Sequence, residues 1–235
     1  MTRLERRLRH RQKRREHFAN FFTKAKEEFG RIAAADSRAS DFEQLYSFYI
    51  VPGGRDGGQN NRIVEVFFGQ RPFDSAERTT IENGRLKRHT AFATEFGATL
   101  QYYRQDDDTV VVFLYQAGTR DNQTSGPVVI LDVIKNPKVL TRSRKLKCHW
   151  RYFIAIMECS SIDGVPTWID RMLRMWLWIT RYEIKDNRAN RQRMWSWLSA
   201  AVAFFFTVGL AGWALDPLKV LWALHPLKLF GLFTH

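Results

Sequence analysis

Six histidines, two cysteines and one run of three aspartates are the residues of this chain whose types could carry chemistry. His10, His17, His89, His149, His225 and His235 contain no HExxH pair, which excludes the helical zinc-hydrolase arrangement. His149 has acids near it in sequence, Glu158 and Asp163, but no spacing that sets a base beside an orienting carboxylate. A structural histidine at a sheet edge is the expectation. Asp106-Asp107-Asp108 lacks the spaced oxygen ligands and terminal glutamate of an EF-hand and reads as a solvated turn. Asp132 and Lys135 follow an apolar strand, as in a metal-dependent nuclease. They stand one position too far apart for the alternating-face arrangement such a site uses. The loop Gly53–Gly58 has glycines but no Gly-Lys-Ser or Gly-Lys-Thr, so it does not read as a phosphate cradle. Cys148 and Cys159 form neither a CxxC zinc pair nor a disulfide framework, and read as buried thiols in a reducing compartment. No catalytic residue, metal ligand or cofactor is assigned on this basis, and a non-enzymatic role is the expectation.

Charge carries a stronger signal. Lys and Arg number 37 against 24 Asp and Glu, a net charge of +13, and eight of the basic residues fall in the first fifteen positions. Such an excess suits an anionic partner, either phospholipid or nucleic acid. Two groups are assigned to an anionic surface: Arg3, Arg6, Arg7, Arg9, Arg11, Lys13, Arg14 and Arg15 at the amino terminus, and Arg171, Arg174, Arg181, Lys185, Arg188, Arg191 and Arg193 further on. No aromatic residue interleaves with the first group before Phe18, which disfavours a stacking platform for single-stranded nucleic acid.

The elements that would position these residues follow from periodicity. Leu4, Leu8, Arg11, Arg15, Phe18, Phe22, Ala25, Phe29 and Ile32 alternate by four and three, a heptad register with two arginines in its middle. The stripe predicts either a helix docked on the body or a self-associating seam that begins at Phe18. Tyr46–Val51, Arg62–Gly69, Thr99–Arg104, Val110–Gln116 and Val128–Ile134 read as strands. The capping-box spacing of Asp74 and Glu77 predicts a helix start, and a second helix is expected over Leu86 to Phe96 with Gly97 as its cap. The apolar run Tyr152–Met157 reads as a buried central strand within His149–Cys159.

The carboxyl-terminal third reads differently. From Pro166 an amphipathic helix is expected, its arginines on one face and Trp168, Met172, Met175, Trp176 and Ile179 on another. Met194–Leu215 then runs without a single charged residue. As a helix that stretch would reach about 33 Å, enough to cross a bilayer core of about 30 Å. Trp195, Trp197, Trp213 and Trp222 are placed at membrane interfaces. The basic flank before the span and the lack of an amino-terminal apolar signal region put residues 1 to about 190 on the cytoplasmic side. Residues 217–233 read as an interfacial or re-entrant tail, with a second crossing as the alternative.

The expected class is α+β: a mostly antiparallel sheet with flanking helices, a basic amino-terminal helix and a carboxyl-terminal transmembrane helix. Five zones result: a basic helix over 1–38, an α+β domain over 40–165, a juxtamembrane helix over 166–193, the span 194–215 and an apolar tail over 216–235. Three functions are compatible with it. The first is a single-pass, membrane-anchored protein whose cytoplasmic domain binds a ligand or partner and acts through its membrane segment as an effector, with homo-oligomerisation as one route. The others are a membrane-tethered hydrolase or nuclease with an unrecognised site, and a tethered nucleic-acid binder using the basic arm.

Overall fold

The computed structural model describes residues 2–55, 58, 60–82, 85–119, 128–185 and 188–190. Two compact units divide the chain at 190/191, and the second, 191–235, lies outside the described residues. The predicted span 194–215, its interfacial Trp195, Trp197, Trp213 and Trp222, the tail 216–235, and Arg191 and Arg193 therefore also lie outside them. Among the described residues no helix is long and apolar enough to cross a membrane.

The first unit is α+β. Helix α1, Arg3–Ala34, opens on a capping box in which the Thr2 hydroxyl accepts from the Glu5 amide and the Glu5 carboxylate accepts from the Thr2 amide. Phe18, Phe21, Ala25, Phe29, Ile32 and Ala33 are its buried stripe. That stripe packs into the same core as the sheet, so α1 belongs to the α+β body rather than to a separate arm ending at residue 38. The first four turns carry no buried residue. At the pitch of an α-helix they run for about 22 Å, touching the β5–β6 turn through Arg11 and Arg15. Asp36 then caps the short α2, Ser37–Glu43.

Seven antiparallel strands form the main sheet in the order β1-β2-β5-β6-β8-β9-β10. They are Phe48–Pro52, Ile63–Phe68, Thr99–Arg104, Val110–Tyr115, Val128–Ile134, Tyr182–Lys185 and Arg188–Asn190. The first five match the strands expected from β-branched and aromatic content. A second sheet, β3-β4-β7, comprises Gln70–Glu82, Arg85–Phe96 and Gly118–Thr119. Strands β3 and β4 prolong β2 and β5 as a long hairpin beyond Gly69 and Gly97, whose backbones bond at 2.9 Å. A Cβ on Gly97 would lie 2.3 Å from that of Phe68, so glycine serves close strand approach here, not helix capping. Both helices expected over 74–96 are replaced by these strands. Each is paired along nearly its whole length, and such long-range pairing overrides a local capping signal.

Helix α3, Ser143–Ser160, stands where the central strand was expected. Leu146, Trp150, Phe153 and Met157 recur at helical spacing and are buried, and most of the remaining apolar run is buried too. Its first half keeps an exposed face of Arg144, Lys147 and Arg151, but from Tyr152 onward no residue is exposed, and that half lacks the polar face that would mark it as helical. With α1 it covers one face of the sheet, where Val64, Val66, Leu100, Tyr102, Val112 and Leu114 alternate inward. Phe68 of β2 stacks on Phe153 of α3, centroids 5.4 Å apart. Helix α4, Trp168–Thr180, begins on a capping box between Thr167 and Asp170. It ends at Thr180 rather than running to residue 193: the chain leaves it at Arg181, and β9 joins the sheet beside β8.

Candidate functional site

The residues with chemical potential fall into three buried polar clusters, one aspartate turn and one cleft. In the first cluster the Tyr102 hydroxyl of β5 stands 2.8 Å from His149 Nδ1 on α3, and His149 Nε2 stands 3.3 Å from Asp132 Oδ2 on β8. Lys145, one turn before His149, bonds the same Asp132 oxygen at 2.6 Å. Burial pushes the His149 pKa below its ordinary value, against the pull of Asp132. Burial would raise the Asp132 carboxyl, but the bonds from His149 and Lys145 and the Lys145 charge hold it well below the carboxylate range. A neutral His149 then donates from Nε2 to the carboxylate and accepts at Nδ1 from the Tyr102 hydroxyl. Every member is partnered, and His149 and Tyr102 are buried, so the arrangement ties helix to sheet. His149 thus sits on a helix rather than at a sheet edge. Its carboxylate is Asp132, not Glu158 or Asp163, and the lysine beside Asp132 is Lys145, not the exposed Lys135.

The second cluster centres on Glu95, wholly buried. It accepts from the Tyr46 hydroxyl, from Arg71 at 3.0 Å and from the Ile162 amide at 2.7 Å. Arg71 also bridges to Asp163 and lies over the Tyr46 ring. The cluster clamps the β3–β4 hairpin to the loop after α3. The third holds the glycine loop. Gly53, Gly54 and Gly58 donate their amides to Ile63, Val51 and Gly54, which leaves none of the three for a phosphate. Arg55 bonds Glu65 and Thr99 and covers the Phe67 ring at 4.0 Å.

The aspartate turn departs most from expectation. Asp108 is fully buried, with φ at 63°. It receives Arg15 at 2.9 Å, Arg104 at 2.8 Å and Arg11 at 3.5 Å, while Arg11 also bonds the Asp106 carbonyl. The two arginines that interrupt the α1 stripe are thus held by the β5–β6 turn, with about half of each side chain still exposed. Arg3, Arg6, Arg7, Arg9 and Lys13 remain exposed on the first four turns. Among the described residues no group of His, Cys, Asp or Glu is placed to hold a metal ion.

The cleft lies between α4, the end of α3, strand β8 and Gln116 just after β6. It encloses about 700 Å³, with Val129, Ile156 and Leu177 among its apolar lining and Arg171, Arg174 and Arg181 among its polar lining. The structure therefore gathers three of the arginines assigned to an anionic surface. Lys185 and Arg188 fall on β9 and β10. Helix α4 meets the body through Leu177 and Asp170, both buried. Trp168, Met172, Trp176 and Ile179, at i, i+4, i+8 and i+11, face the other way, with Met175 between them and the cleft, which it also lines. Trp168 is 74 % exposed and Trp176 56 %.

The chain matches no protein-family model, no curated protein and no solved structure.

Proposed function

We propose that the protein is a membrane-anchored, non-enzymatic module whose α+β domain binds a ligand or partner at an anionic cytoplasmic surface and acts through its carboxyl-terminal segment as an effector on the bilayer. The observation that carries this reading is the outward apolar face of α4. A surface helix of a soluble domain turns its apolar stripe inward. This one is seated through Leu177 and a capped Asp170 and presents two tryptophans, two methionines and an isoleucine to its surroundings. An exposed apolar patch flanked by arginine suits the headgroup boundary of an anionic leaflet. Helix α4 ends at Thr180, a short way before Met194, where the uncharged stretch begins.

The test is extraction of the full-length chain. Hydrophobic transfer is not screened by salt, so the protein should remain with membranes through alkaline carbonate and high salt. A reporter at Met1 should be cytoplasmic and one after His235 on the far side. Recovery of the full chain in the soluble fraction overturns the reading. A second reading, a tethered nucleic-acid binder, is favoured by one observation, the first four turns of α1 with Arg3, Arg6, Arg7, Arg9 and Lys13 exposed. It requires nucleic-acid binding that falls steeply with salt and disappears when those five residues become Gln.

A further inference from the structure

The cleft beside α4 combines features that a planar membrane contact does not require: concavity, an apolar floor and cations at its mouth. Its volume of about 700 Å³ lies within the range of small-ligand sites, about 300–1,000 Å³. Val129 of β8, Ile156 of α3 and Leu177 of α4 are apolar groups brought to one place from three elements. Arg171 and Arg174 lie one turn apart on the flank of α4, and Arg181 follows its last turn. Arg174 donates one bond to the Cys159 carbonyl at 3.0 Å, which holds its guanidinium at the cleft. Three guanidiniums brought to one cleft suit a phosphate, which arginine binds through paired donors.

We propose that this cleft binds one molecule of a single-chain phosphate lipid, its phosphate held by Arg171, Arg174 and Arg181 and its acyl chain laid on Val129, Ile156 and Leu177. The proposal rests on the membrane reading above, because α4 would present the mouth of the cleft to the leaflet that supplies the lipid. Occupancy would couple the lipid to the junction of α4 and β9, from which the chain continues to 191–235.

Both cysteines serve the test. Cys159 lines the cleft, whereas Cys148 is exposed at a separate groove near Trp150 and acts as an internal reference. Full-length protein in phosphatidylcholine nanodiscs is titrated with dodecyl phosphate, and maleimide alkylation of each thiol is followed by mass spectrometry. At about ten times the dissociation constant, about one cleft in ten stays open and Cys159 alkylation slows about tenfold. Cys148 keeps its rate, and R171Q/R174Q abolishes the protection. Equal protection by dodecanol overturns the proposal in favour of an apolar groove without anion recognition. Protection by inorganic phosphate alone overturns it in favour of a free-anion site. A Cys159 that resists alkylation with and without dodecyl phosphate overturns it as well, the protein's own chain then filling the cleft. Should the protein fail to stay with the discs, the membrane reading falls, and the same titration in buffer still decides whether the cleft takes the lipid.

Discussion

Arg15 of α1 donates through Nε to both carboxylate oxygens of Asp108, at 2.9 and 3.1 Å, across 93 residues of chain. Asp108 has a positive φ, a conformation that asparagine and aspartate tolerate better than other side chains. Asp108→Asn should keep the turn and lose the charge. Its cost is about 2 kcal/mol, below that of breaking a fully buried pair, because the largely exposed Arg15 rehydrates. Asp108→Ala should cost about 1–2 kcal/mol more, since alanine pays for the left-handed backbone. Thermal unfolding of the full-length protein measures both. Equal melting temperatures for wild type and Asn would show the pair to be idle.

The same contact gives Arg11 and Arg15 a role opposite to the one a self-associating seam assigns them. If the α1 stripe paired with a second copy, changing both to Leu would strengthen the pairing. With the stripe inside the core, the change strands Asp108 with Arg104 as its one remaining partner among these arginines, and the melting temperature should fall. Phe29→Ala tests the stripe itself. Phe29 is fully buried against Tyr102 and Trp150. Its truncation should cost about 3–5 kcal/mol. A variant that unfolds at the wild-type temperature would place Phe29 outside the core.

How much was legible depended on how far each signal reaches. Strands β5, β6 and β8 were readable because Val, Ile and Tyr cluster locally. The aspartates between β5 and β6 also gave their turn, but nothing local marks Asp108 as buried, because its three arginines come from α1 and β5. The β3–β4 hairpin imitates helix signals at Asp74, Glu77 and Gly97, and only cross-strand pairing overrides them. Lys145 and His149 stand four apart, one face of a helix, so reading 143–160 as helical would have placed both near a common partner. The apolar run 152–157 hid that period. The outward turn of the α4 stripe was suggested only by the uncharged stretch that follows it, since a helical wheel shows which residues share a face and not which way the face looks.

Acid should weaken the domain through His149 first. Burial lowers its folded pKa below the unfolded value of about 6.5, so the unfolded chain binds the proton more readily. Stability from this group is fully present above about pH 6.5 and is lost as pH falls through the folded value. Asp108 and Asp132, both held below the carboxylate range by bonds and charges that outweigh their burial, add the same sign at lower pH. Denaturation midpoints at pH 7.5 and 5.5 should therefore differ in wild type. His149→Phe should be less stable at pH 7.5, because the Tyr102 hydroxyl and Asp132 lose a partner, and should show a smaller difference between the two pH values. An unchanged difference would assign the pH dependence to another group.

The outward face of α4 makes the sharpest demand on the membrane reading. A probe at Met172→Cys, with Cys148 and Cys159 changed to Ser, should be quenched by brominated acyl chains when the full-length protein is in nanodiscs. Met172 is exposed and points away from Leu177 and Asp170, so this change should leave the melting temperature in place. Trp168→Glu with Trp176→Glu should then move the probe into water. Burying two large apolar side chains is worth at least about 3 kcal/mol together, a factor of about 150 in the docking equilibrium. The span would still hold the chain in the disc, so the loss is of docking and not of insertion, and quenching by aqueous iodide should replace quenching by bromine. A wild-type probe already quenched by iodide and not by bromine would show that α4 faces water, and the stripe would have to be covered by protein instead.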